Sequence, residues 1–291
     1  MITVDHLSKA IKGKPILSDI SFTIEAGDCL ALIGPNGAGK TTLMSCMLGD
    51  KIASRGTVLV DNEAPKSRAN KEQIAYLAQE NLIPKGLKVK ELIAFFRAIH
   101  RDSLRESEIV DLLGFSPLQY HQLADNLSGG QRRLLAFVLC LIGKPNYLFL
   151  DEPTAGMDTT TRQHFWEIIA DLKKKGVTIV YSSHYIEEVE HTADRILVLN
   201  QGKLIRDTTP FAMRNEECEK QVTLSLDFEN LVLGLKNVYD VKQGRDTVQF
   251  MTKDLGSVWE KLQQSGCSIS DIEVQNKTLL NSLFDTTRGD K

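Results

Sequence analysis

The run Gly34-Pro-Asn-Gly-Ala-Gly-Lys-Thr-Thr42 constrains this chain more than any other stretch, because it reads G-x-x-x-x-G-K-T. Apolar Cys29-Leu-Ala-Leu-Ile33 leads into it and the helical pattern Thr41-Thr-Leu-Met-Ser-Cys-Met-Leu48 follows. Strand, glycine loop and helix are the context of a phosphate-binding loop. Gly34, Gly37 and Gly39, with Pro35, Asn36 and Ala38 between them, let successive backbone N–H groups converge on one anion. The helix beginning at Lys40 adds its positive N-terminal end. In such a loop Lys40 reaches the β- and γ-phosphates of a nucleotide, the Thr41 hydroxyl holds Mg²⁺, and Thr42 is a further phosphate donor.

The chain has 291 residues, long for one domain, with 42% hydrophobic and 25% charged content. Two domains with proper cores are expected. A formal net charge of −3 argues against a nucleic-acid binder. The longest apolar run, Leu134 to Ile142, falls far short of the roughly 20 residues a bilayer span needs, and the N-terminus has no signal-peptide pattern. Cys29, Cys46, Cys140, Cys218 and Cys267 are scattered without a C-x-x-C pair, which suggests reduced thiols and a cytosolic chain. The charge run Lys173-Lys-Lys175 reads as a solvated helix end.

Read in order, the first thirty residues suggest two or three antiparallel strands. Short strands follow at Gly56–Val60 and Ile74–Ala78. A helical stretch from about 81 to 131 then carries Val89, Leu92, Ile93, Phe96 and Ile99 on one helix face. Tyr147–Leu150 and Val177–Tyr181 are buried strands with a helix from about Thr160 to Lys175 between them, and Arg195–Leu199 opens a hairpin. This alternation predicts an α/β sheet with its site at the carboxyl edge. Beyond Pro210 the order becomes β-α-β-β-α-β, with a last strand over Ile269–Val274. That is a small ferredoxin-like α+β domain with no catalytic cluster of its own.

Asp151, ending an apolar strand, suits a Mg²⁺ ligand, and Glu152 beside it suits a general base for water. Gln79 ends its strand where it can touch Mg²⁺ or the lytic water, and His184 closes the Val177 strand within reach of a γ-phosphate. Leu127-Ser-Gly-Gly-Gln131 opens another helix and makes a second anion-binding N-terminus, without a second lysine.

With these two loops the chain, from Met1 to about Met213, resembles the ATP-binding cassette (ABC) family. The resemblance implies a P-loop ABC ATPase fold. Its parts are a RecA-like core sheet, an antiparallel β subdomain and a helical subdomain near 81–131, within a domain spanning 1–214 and followed by an accessory domain over 216–291. It further implies that two cassettes pack head to tail around two ATP molecules. Lys40, Thr41 and Asp151 then bind ATP and Mg²⁺ in cis, while Ser128, Gly129, Gly130 and Gln131 bind the γ-phosphate held by the partner cassette. Glu152 is the general base, Gln79 the coupling glutamine and a metal ligand, and His184 the switch histidine. Asp158, in Ala155-Gly-Met-Asp158, sits in the loop that communicates across the dimer.

Three users of the ATPase cycle compete. DNA-maintenance ATPases need a long coiled coil between the two loops, and the stretch between Lys40 and Ser128 is short and lacks sustained heptads. Soluble ABC switches normally fuse two cassettes, and there is one P-loop here. Transport remains: a peripheral subunit on the cytoplasmic side of the membrane, docked on a transmembrane permease through Leu82, Ile83, Lys85, Leu87, Phe95 and Phe96. A lone cassette with a compact helical segment and a small C-terminal extension looks like those of bacterial exporters of the drug- and peptide-resistance type, and the tail over 276–284 is similar to a helix that often ends such subunits. An importer ATPase with a regulatory C-terminal domain is the alternative.

The chain departs from the family pattern at Ile11, where an adenine-stacking aromatic is usual. An aliphatic face packs on a purine without aromatic stacking. Ile11→Tyr is therefore expected to tighten ATP binding modestly and to raise the preference for ATP over GTP, measured by competitive nucleotide titration. Unchanged affinity and preference would remove Ile11 from the adenine site.

Overall fold

A computed structural model describes residues 1–80, 83–183, 185–215 and 219–276. The chain divides into two compact units, Met1–Pro210 and Phe211–Lys291.

The first unit begins with β1 (Ile2–Ile11), β2 (Lys14–Ile24) and β3 (Cys29–Ile33), followed by α1 (Lys40–Met47), β4 (Arg55–Val60) and β5 (Ile74–Leu77). Four helices come next: α2 (Val89–Ile99), α3 (Glu106–Leu113), α4 (Pro117–His121) and α5 (Gly129–Leu141). The core resumes with β6 (Tyr147–Asp151), α6 (Thr159–Lys174), β7 (Thr178–Ser183), α7 (Ile186–Thr192), β8 (Arg195–Asn200) and β9 (Lys203–Thr208). A short α8 (Pro210–Asn215) runs across the division between the units.

Six strands form the central sheet in the order β5-β6-β7-β3-β8-β9, parallel except for the antiparallel β8–β9 hairpin. Strands β3, β6 and β7 are buried along their whole length, so their central residues read as apolar runs rather than alternating ones, with Asp151 and then Ser182 and Ser183 at the carboxyl ends of β6 and β7. A separate antiparallel sheet, β2-β1-β4, shares one core with α1 and the adjacent face of the central sheet. On α5 and α6, Phe137 and Phe165 meet with ring centroids 4.5 Å apart, and Trp166 of α6 stands edge-on to Tyr181 of β7 at 5.2 Å.

The helix expected from periodicity in the insertion forms as α2, but its apolar face is shorter than expected. It buries Val89, Leu92 and Ile93, half-buries Phe96, and leaves Ile99 exposed at 57% along with Phe95. Helix α3 stops at Gly114, whose left-handed φ of 61° ends it, its N–H donating a hydrogen bond back to Val110 O. Helix α4 was not evident from periodicity. Its signal is local, since Ser116 caps it and Pro117 occupies its first turn.

The second unit contains β10 (Lys220–Ser225), α9 (Glu229–Leu233), β11 (Tyr239–Gln243), β12 (Thr247–Thr252), α10 (Leu255–Gln264) and β13 (Ile272–Asn276). Its antiparallel sheet runs β11-β12-β10-β13, the ferredoxin-like order, and it has its own core of Val222, Leu224, Val232, Val248, Phe250, Val258 and Leu262.

Three further sequence expectations need correction. The last strand begins at Ile272, because Ser268 caps a 3₁₀ turn over Ile269–Asp271. Lys173 is not simply solvated: its Nζ donates to Thr192 O and to Asp194 Oδ1, both at 2.9 Å, pinning the end of α6 beside β8. The strand expected through Ala78 stops at Leu77. Thiols Cys29, Cys46, Cys140 and Cys267 are free, and burial pushes those of Cys29 and Cys140 up to about 12. His184, Leu82, Cys218 and the expected tail helix after position 276 lie outside the described residues. Among the described residues no helix is long and apolar enough to cross a membrane.

Phe250 is fully buried in the second unit's core, so Phe250→Ala is expected to destabilise that unit by about 3–5 kcal/mol. Urea unfolding followed by hydrogen exchange in β10 and β12 checks this. A loss below about 1 kcal/mol would mean that the sheet does not depend on this core.

Candidate functional site: a phosphate loop facing two carboxylates

Register decides what can meet at the carboxyl edge of the central sheet. Ile33 pairs with Ser183, and Asp151 with Ser182, so the loop after β3, the end of β6 and the end of β7 lie side by side. The turn after Ile33 is held against the β8–β9 hairpin. A Cβ on Gly34 would stand 2.3 Å from Leu199 O, an approach only glycine permits. Gly39, at φ 105°, caps α1, and a side chain there would strike Leu17 Cδ2 at 2.7 Å.

Lys40 opens α1 and is buried. Its Nζ donates to Gly34 O at 2.7 Å and to Pro35 O at 3.3 Å, closing the loop over itself. Burial draws its pKa down, while Glu152 and Asp151 oppose that shift by favouring the charged form. The result is a cation inside an arch of backbone, at a helix N-terminus, which is an anion site by construction.

Beside it, Thr41 Oγ1 donates to Asp151 Oδ2 at 2.8 Å and Ser182 Oγ donates to Asp151 Oδ1 at 2.5 Å. Ser182 Oγ also accepts from Glu152 N at 2.9 Å. Glu152 has a left-handed backbone, φ 46°, which costs a side-chain-bearing residue on the order of 1–3 kcal/mol. Gln79 Nε2 donates to Glu152 Oε2 at 3.1 Å.

Helix α5 contributes a fully buried Arg133 to the same edge. Its Nη1 donates to the carbonyls of Ala78 and Gln79, its Nη2 to those of Asp151 and Glu152, and its Nε to Pro153 O. Burial lowers its pKa, and Cys140, Asp151, Tyr76 and Glu152 push back toward the charged form.

The structure therefore brings Lys40, Thr41, Gln79, Asp151 and Glu152 together. Ser128, Gly129, Gly130 and Gln131 form a second cluster. Ser128 caps α5 by accepting from Gln131 N at 3.2 Å, and Gln131 Oε1 accepts from Ser128 N at 3.1 Å. Gly130 packs against Met157 and Asp158, while Asp158 caps α6 through Thr161 N. Among the described residues, no hydrogen bond joins this cluster to the phosphate loop. Sequence reasoning passed over Ser182 and Arg133. For Arg133 the one signal in the sequence was a cation among the apolar residues of α5, while Ser182 carried none until register set it beside Asp151.

A family described as ABC transporter matches residues 17–155. The chain is 38% identical to the Nod factor export ATP-binding protein I of Rhizobium johnstonii over 223 residues, 74% of this chain and 71% of that protein. The chain belongs to the ABC transporter family. It is also 30% identical to the lipopolysaccharide export system ATP-binding protein LptB of Haemophilus influenzae, covering 79% of this chain and 99% of the relative. Among solved structures, the ATP-binding subunit of an ABC transporter superposes with a TM-score of 0.66 at 24% identity, over 74% of this chain and 92% of that one. A dimeric ATP-binding cassette bound to ADP and Pi gives 0.65 at 20% identity, over 72% and 99%. The cassette seen here is the ATP-hydrolysing component of a transporter.

Ser182→Ala in this cassette removes the hydroxyl that serves both Asp151 and Glu152 N. It is expected to cost about 1–3 kcal/mol through groups left unsatisfied in a buried position. Urea denaturation measures it, and a change within about 0.5 kcal/mol would mean that water replaces the hydroxyl without penalty.

Proposed function

We propose that the chain is the ATPase of a membrane exporter, working as a head-to-tail pair of cassettes that binds and hydrolyses two MgATP. The observation that carries this reading is the separation of the two anion-binding clusters. The phosphate loop sits with Asp151 and Glu152, while Ser128–Gln131 sits with Asp158 on another part of the same unit. A second copy supplies the missing half of each site.

In this reading the backbone of residues 34–39, with Lys40 and Thr42, holds the β- and γ-phosphates. Lys40 exchanges its two carbonyl acceptors for phosphate oxygens. The donor set beside the phosphates fits Mg²⁺, since the Thr41 hydroxyl and the Asp151 carboxylate are hard oxygen ligands 2.8 Å apart and Gln79 carries an amide oxygen. Bound there, Mg²⁺ offsets charge on the β- and γ-phosphate oxygens. Glu152 accepts a proton from the attacking water, and Gln79, hydrogen-bonded to that carboxylate, fixes the direction in which it acts. His184, next in sequence after Ser183, is read as the switch histidine for the γ-phosphate from its match to the family motif. Ser128, Gly129, Gly130 and Gln131 grip the partner's γ-phosphate at the start of α5, and Asp158 lies at the dimer junction.

The permease docks on the helical insertion, where Phe95 is 59% exposed and Leu87 and Lys85 are also exposed on neighbouring segments. The chain is then peripheral, on the cytoplasmic face of a membrane. Export rather than import is supported by the relatives named for Nod factor and lipopolysaccharide export. The unit after Pro210 is read as an accessory domain that modulates dimerisation or coupling.

Glu152→Gln tests the core of this proposal. Turnover is expected to fall by about 10²–10⁴-fold while MgATP still binds. The variant should also double its mass on adding MgATP, as read by light scattering. Normal turnover would remove Glu152 as the base, and a monomer saturated with MgATP would remove the composite site.

A further inference from the structure

We propose that Arg133 is a positioning residue for hydrolysis, setting the reach of Gln79 and Glu152 and tying both to the helix that starts at Ser128. The inference rests on the reading of Glu152 as the base. Arg133 is buried at 1% exposure, and its guanidinium gathers carbonyls from two separate segments. From the end of β5 it takes Ala78 and Gln79, and from the turn after β6 it takes Asp151, Glu152 and Pro153. Two of these carbonyls belong to Gln79 and Glu152, whose side chains form the Gln79–Glu152 hydrogen bond, and the others to their chain neighbours.

The geometry explains why an arginine does this. Three successive carbonyls, Asp151, Glu152 and Pro153, turn toward one point where Glu152 adopts a left-handed conformation. That backbone is costly for glutamate and persists only where its surroundings hold it. A planar guanidinium with five N–H donors in a fixed fork can hold several carbonyls at once, which a single ammonium cannot do with the same directionality. Arg133 touches none of the reacting atoms. It acts through the backbone of two residues that do.

Its position on α5 adds a consequence. Arg133 lies little more than one turn beyond Ser128, on the same rigid helix. The loop that reads the partner's nucleotide and the base that takes a proton from the water attacking this cassette's own nucleotide are therefore held by one element. The partner's γ-phosphate at Ser128 and the backbone of Glu152 thus bear on the same helix.

The test compares Arg133→Met, which keeps bulk and an apolar stem, with Arg133→Lys, which keeps the charge and three donors, in the full chain. Glu152→Gln is run alongside. Arg133→Met is expected to lower turnover by about 10–100-fold, the usual range for outer-shell partners of an active group. Its MgATP dissociation constant should stay within about twofold of wild type. Arg133→Lys should fall between Arg133→Met and wild type. A purely structural role predicts the opposite split, with stability altered and turnover per folded molecule unchanged. Wild-type turnover in Arg133→Met, with Glu152→Gln inactive, overturns the positioning role alone. Turnover retained in Glu152→Gln overturns the base assignment and this inference with it. If Arg133→Met fails to fold, Arg133→Lys decides: several-fold slower turnover at unchanged MgATP affinity supports the role, and wild-type turnover ends it.

Discussion

Parallel pairing of β3, β7 and β6 is the constraint on which the site depends. Register alone sets Ile33 beside Ser183 and Asp151 beside Ser182, so residues more than a hundred positions apart share one sheet edge. A slip of one residue in a strand buried on both faces would turn Asp151 to the opposite side and break its bonds to Thr41 and Ser182. The polar ends Asp151, Ser182 and Ser183 on largely apolar, fully buried strands, and Trp166 of α6 packed edge-on against Tyr181 of β7, penalise such a slip.

Once the edge exists, polar satisfaction does the rest. Asp151 is buried, and a carboxylate in that position needs donors. Thr41 and Ser182 supply them, one from the phosphate-loop helix and one from the neighbouring strand. Glu152 is left with a strained backbone and a side chain turned toward Gln79. Strain concentrated at one carboxylate, inside a rigid frame of paired strands and a buried arginine, fits a group that must meet a reacting atom in one orientation.

Much of this was legible in the sequence for physical reasons. Glycines at Gly34, Gly37 and Gly39 permit the loop, and an apolar run ending in Asp151-Glu152 permits little besides a buried strand delivering carboxylates to an edge. The order β-α-β-β-α-β after Pro210 was readable because each element is bounded by turn residues and has a clear period, and its sheet pairs in the ferredoxin-like order. What stayed hidden were tertiary facts. Ser182 looks like an ordinary strand residue until register places it on Asp151. Arg133 looks like one of two surface arginines following Leu127-Ser-Gly-Gly-Gln131 until α5 is packed against the sheet. Lys173 looked solvated because its acceptors, Thr192 O and Asp194, come from a different element. Composition and periodicity describe which face of an element is apolar, and they do not say which carbonyls another element will present.

The central claim is that this ATPase edge drives a permease. The most direct measurement is purification of the tagged full-length chain from gently solubilised native membranes in MgATP, with its companions identified by mass. The account predicts a polytopic membrane protein in stoichiometric amount, released when the exposed α2 surface around Phe95 is made acidic. A chain recovered only as a nucleotide-bound dimer, with no membrane protein and no response to the Phe95 change, would contradict it.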